Sequence, residues 1–176
     1  MLFLPLTFFF SALLLFLGYS FAFQPDKMAV LPRLRWAGIV LGVPCLIWSA
    51  WHGCIMLEGG LAKFHTLVWC LVPILSVLSA LYLDYLFARA LGGFLILSSN
   101  ELIRCAFIYD VPLRGLYSII CLLLGICGLF LLGAPWHLRD ALKLAEKKPP
   151  VGRAIAVALT VTALLLILLG CMKRLS

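Results

Sequence analysis

The sequence predicts an all-α fold, a polytopic transmembrane helix bundle, and three observations predict it. First, 65% of the residues are hydrophobic and 12% charged, with a mean hydropathy of +1.16, whereas soluble domains are roughly half apolar and a quarter charged. Second, apolar runs of about twenty residues recur along the chain, the length a helix needs to cross a hydrocarbon core ~30 Å thick. Third, most of the Lys and Arg residues fall in the gaps between those runs. The 176 residues make one integral membrane domain, 1–176, because no polar stretch is long enough for a second unit.

Leu2 to Phe23 is uncharged and forms the first span. A basic connector with Lys27, Arg33 and Arg35 leads to the second, Trp36 to Leu57, where Gly38 and Gly42 hold the G-x-x-x-G spacing that lets helix backbones approach closely. Phe64 to Leu83 is the third, with Pro73 inside it. Leu86 to Tyr109 has two readings. Its charges Arg89, Glu101 and Arg104 flank a short apolar stretch. Arg89 to Arg104 as one helix rises about 22 Å, enough to cross if both arginines snorkel; a re-entrant hairpin turning at Gly92 and Gly93 is the alternative. Leu116 to Ala134 is the fifth span, with Cys121 and Gly125 as a small-residue face. Ala154 to Met172 is the sixth, with Ala154 and Ala158 along one side.

Between the last two spans, 135–148 is a short amphipathic helix: Leu138, Ala141, Leu142 and Ala145 oppose Arg139, Asp140, Lys143, Glu146 and Lys147, and Pro149-Pro150 stops it. It is expected to lie on the membrane with its apolar face in lipid. With the N-terminus outside, the cytoplasmic loops hold nine of the fourteen Lys and Arg: Lys27, Arg33, Arg35, Arg89, Arg139, Lys143, Lys147, Lys148 and Arg153. The positive-inside rule therefore favours that orientation and six spans. Apolar spans punctuated by proline and arginine are common among bacterial membrane proteins, so the expected location is an inner (plasma) membrane.

Chemistry has few places to sit. Asp84, Arg89, Asn100, Glu101 and Arg104 form a candidate polar seam, since ionisable groups at membrane depth are costly and face a cavity or a partner. Asp84 to Arg89 resembles the opening D-G-x-x-A-R of the CDP-alcohol phosphatidyltransferases over six residues. Tyr85 stands in place of the glycine, and Ser98, Leu102 and Ala106 stand where that motif continues with glycine and two aspartates. The carboxylates that would hold a divalent metal are therefore missing. His52, Cys54, Glu58 and His65 gather around one short connection without matching a strong ligand motif. The seven cysteines contain no C-x-x-C pair, and no nucleophile elbow, zincin or phosphate-loop motif occurs. The sequence thus predicts no catalytic set, no metal and no cofactor. Nor does it predict nucleic-acid binding, because the basic residues form no stripe interleaved with aromatics. The expected partners are membrane lipids and other membrane subunits or a second copy, met through Gly38 and Gly42, Cys121 and Gly125, and Ala154 and Ala158. A small oligomeric transporter or channel using the stripe from Arg89 to Arg104 is the alternative.

Overall fold

The structure, a computed structural model, describes residues 3–23, 35–57, 63–111 and 113–175. Lys27, Arg33 and Glu58 lie outside them. The described residues form seven helices and no strand: α1 Phe3–Phe23, α2 Arg35–Met56, α3 His65–Tyr82, α4 Leu86–Ile108, α5 Arg114–Gly133, α6 Trp136–Lys147 and α7 Pro149–Leu175. Five of these (α2, α3, α4, α5 and α7) are long and apolar enough to cross a membrane. Helix α1 runs antiparallel along α7: Thr7 meets Gly170 at one end and Gly18 meets Ala156 and Thr160 at the other.

Helix α4 is the hub. It lies parallel to α2, with Gly38 against Leu86 and Phe87, Gly42 against Ala90, and Trp48 beside Phe94. It lies antiparallel to α5, where Gly92 and Gly128 meet backbone to backbone and the Ser99 hydroxyl donates to the Cys121 carbonyl. The apolar core joins Phe10 and Leu14 of α1, Leu95 and Leu102 of α4, Tyr117 and Cys121 of α5, and Ala163 and Leu166 of α7. Helix α3 stands outside this core, with no buried residue, and packs chiefly on α2. The carboxyl end of α3, the start of α4 and helix α6 thus gather at one end of the bundle, called here the lower end. The links α2–α3 and α4–α5 lie at the upper end.

The structure decides between the two readings of 86–109 and corrects two other expectations. Leu86–Ile108 is one continuous helix, the first of those readings, and not a hairpin at Gly92 and Gly93. The pair does not turn: Gly92 is the contact point for α5, where a side chain would collide with the Gly128 carbonyl, and Gly93 faces open space. The last helix begins at Pro149, five residues before the expected start. Proline fits there because it sits in the first turn, where its missing N–H has no intrahelical role. Lys148 just before it is extended and closes α6. The second correction concerns the apolar face of α6, which lies on protein rather than in lipid. Leu142 and Ala145 are buried against Ala156, with Leu17, Ala22, Ile155 and Leu159 packed around them.

Candidate functional site

The polar seam read from the sequence occupies two separate places. Arg89 and Glu101 are twelve residues apart on one straight helix, about 18 Å at 1.5 Å per residue. Between them α4 turns Gly93, Ile96 and Leu97 toward an apolar cleft.

At the upper end, Glu101 is the centre of a small network. Its carboxylate accepts from Arg104 through both oxygens, Nε to Oε2 at 3.1 Å and Nη2 to Oε1 at 2.5 Å. His52 Nε2 lies 3.7 Å from Oε2, and the Cys105 thiol donates to Oε1 at 3.7 Å. The parallel register of α2 and α4 brings His52 here, and its ring is held beside Trp48. Asn100 is exposed and takes no part in these bonds. This arrangement ties two helices together at a membrane surface. His52 is thereby drawn away from His65, which instead bonds the Leu57 carbonyl at 3.1 Å and lines a shallow hollow with Trp51, Cys54 and Trp69. Among the described residues, no group of three or more His, Cys, Asp or Glu could hold a metal ion.

At the lower end, Arg89 projects from the first turn of α4. The turn before it is set by Tyr85, whose φ of 55° is left-handed, and the Arg89 amide donates to the Tyr85 carbonyl at 3.3 Å. Arg89 lines a cleft of about 380 Å³ walled mainly by α2 (Gly42, Cys45, Leu46) and α4 (Ala90, Gly93, Ile96), with Ser79 of α3 and Leu132 of α5 at its edges and Ser49 as a further polar residue. The Ser79 hydroxyl already donates to the Ser76 carbonyl of its own helix at 3.0 Å. The Arg89 Nε is buried and has no hydrogen-bond partner among the described residues. The ion pairs found among those residues are His52–Glu101, Arg104–Glu101, Arg114–Asp110 and Arg139–Asp140, so neither Arg89 nor exposed Asp84 is in one.

Beside this cleft, Arg139 of α6 reaches the start of α4. It donates to the Tyr85 hydroxyl at 3.0 Å, and its guanidinium lies 5.7 Å from the Tyr85 ring centre. Its bonds to Asp140 and then to Tyr85 hold the guanidinium above its ordinary pKa, so it stays charged. Sequence reasoning found Arg89 but not the cleft, because the cleft depends on which helices are neighbours and on their register. The available signal was the pair of small faces, Gly38 with Gly42 on α2 and Gly93 on α4.

Of the candidate packing residues, Gly38, Gly42, Cys121 and Gly125 are all engaged with α4 inside the chain. Ala154 and Ala158 are exposed. No family model, no curated protein and no solved structure matches this chain.

Proposed function

We propose that this protein is a non-enzymatic subunit of the bacterial inner membrane, which associates with a second copy or another membrane protein through α3. The observation that carries the reading is the row Leu67, Leu71, Ile74, Leu78 and Leu81, all exposed. Its spacing alternates four and three residues, the a/d pattern that fits side-chain knobs into the holes of a facing helix. Lipid tails are as apolar as leucine, so a helix in a bilayer is held by packing and interhelical hydrogen bonds rather than by hydrophobicity. Helix α3 has little of either within the chain. Its Ser76 and Ser79 hydroxyls bond their own backbone, to Val72 and Ser76 carbonyls, and none of its residues is buried. A partner helix would supply the packing that the fold leaves out. Exposed Ala154 and Ala158 on α7 offer a second, smaller surface of the same kind.

Solute transport through the bundle finds less support, because the stretch of α4 between Arg89 and Glu101 presents apolar residues to the cleft. The test is disulfide crosslinking in native membranes from a cysteine-free background. Ile74→Cys is expected to give a crosslinked dimer or heteromer. Leu129→Cys on α5, equally exposed at 61%, is expected to stay monomeric. A monomer from both, in membranes and in mild detergent, would overturn the proposal.

A further inference from the structure

We infer that the cleft walled by α2 and α4 is a binding site for one anionic phospholipid, taken from the leaflet at the lower end, with its phosphate on Arg89 and an acyl chain along Gly93 and Ile96. The cleft's volume, about 380 Å³, lies within the roughly 300–1,000 Å³ typical of ligand sites. Its chemistry is divided in the way a phospholipid is divided. The lining includes Arg89, which has no ion pair and a buried Nε without a hydrogen-bond partner among the described residues; the rest of the wall is apolar apart from Cys45, Ser49 and Ser79.

Depth supports the same occupant. From Arg89 to Leu97 the helix rises about 12 Å, close to the ~15 Å of hydrocarbon in one leaflet. A buried guanidinium nitrogen without an acceptor is costly, the headgroup level is where a lipid phosphate lies, and a phosphate accepts from a guanidinium through two parallel hydrogen bonds. No protein carboxylate among the described residues makes an ion pair with it. Arg35, Arg139 and Lys143 lie at the same end and favour an anionic headgroup there. This inference stands apart from the proposed association through α3, which uses the opposite, outward row of that helix.

Native mass spectrometry of the full chain, released from nanodiscs of mixed phosphatidylglycerol and phosphatidylcholine, reads the retained lipid directly. The wild type is expected to keep one phosphatidylglycerol in preference to phosphatidylcholine by roughly tenfold, because both offer a phosphate to the guanidinium but the choline ammonium cancels its charge and is repelled by the cations at this end. Arg89→Gln should lower that preference toward one, Arg89→Lys should keep part of it, and Arg114→Gln, at the upper end and paired with Asp110, should leave it intact. Gly93→Phe should lower retention of both lipids by filling the cleft; a Cβ at position 93 meets no neighbour within 4 Å, and a helix-content and thermal-unfolding check on the variant shows that it folds. An unchanged preference in Arg89→Gln would overturn the inference, as would undiminished retention in Gly93→Phe. Displacement of the lipid by inorganic phosphate alone would also overturn it, because the acyl chain would then contribute nothing.

Discussion

Two adjacent glycines in α4 have opposite roles. A methyl group on Gly92 would come within 2.6 Å of the Gly128 carbonyl oxygen and 2.8 Å of the Leu132 amide nitrogen, and both belong to a backbone that cannot swing aside. Gly92→Ala should therefore destabilise the fold by about 1–3 kcal/mol, the usual cost of overpacking. Gly128→Ala should do the same, since its Cβ would lie 2.7 Å from the Gly92 carbonyl oxygen. At Gly93 the same methyl meets nothing, and Gly93→Ala should stabilise by up to about 1 kcal/mol through helix propensity alone. Unfolding in mixed micelles, followed by reactivity of the buried Cys121, measures all three. Equal losses at positions 92 and 93 would show that the α4–α5 contact is elsewhere. In the sequence these glycines had a role only in the hairpin reading, a turn, and their packing roles were not legible, because the partner at Gly128 is thirty-six residues from Gly92 and no local pattern pairs them.

At the scale of elements, the amphipathic character of 135–148 was legible from side-chain spacing, but what its apolar face touches was not. Periodicity reports that a face is buried and cannot distinguish lipid from protein. Here the short Lys148 link folds α6 back against α7, so Leu142 and Ala145 meet Ala156. The energetic consequence differs from that of a helix held by headgroups. Attraction between basic residues and an anionic surface falls as the Debye length shrinks from ~10 Å at 0.1 M salt to ~3 Å at 1 M, whereas apolar packing is insensitive to that screening. Leu142→Cys, 3% exposed in the parent residue, should resist a water-soluble maleimide equally at both salt concentrations, while exposed Lys143→Cys should react at both. Labelling of position 142 that rises steeply with salt would show a helix held by lipid charge. The other elements followed apolar runs closely enough for their number to be read. Arg89 was recognised as a buried charge in search of a partner, yet its cleft arose only from the parallel pairing of α2 with α4.

The whole molecule is an up-and-down arrangement in which the basic residues are sorted to one end. Helix α1 runs down beside α7, α2 runs up beside α4, α3 and α5 run down, and α7 returns upward after α6. Arg35, Arg89, Arg139, Lys143, Lys147, Lys148 and Arg153 consequently lie at the lower end. Lys63, Arg104, Arg114, Lys173 and Arg174 lie at the upper end, where Glu101 and Asp110 pair with Arg104 and Arg114. The side richer in Lys and Arg near span ends is retained in the cytoplasm, so the lower end is expected to be cytoplasmic. In a cysteine-free background, Lys143→Cys should react with an impermeant maleimide only after the membrane is opened, and Asp110→Cys should react in intact cells. Both positions are exposed, so a failure to react reports sidedness rather than burial. The reverse pattern would mean an inverted chain. Reaction of both from outside would mean that α5, the helix that separates them, does not cross, and with it would go the six-span arrangement and the placement of Arg89 in the cytoplasmic leaflet.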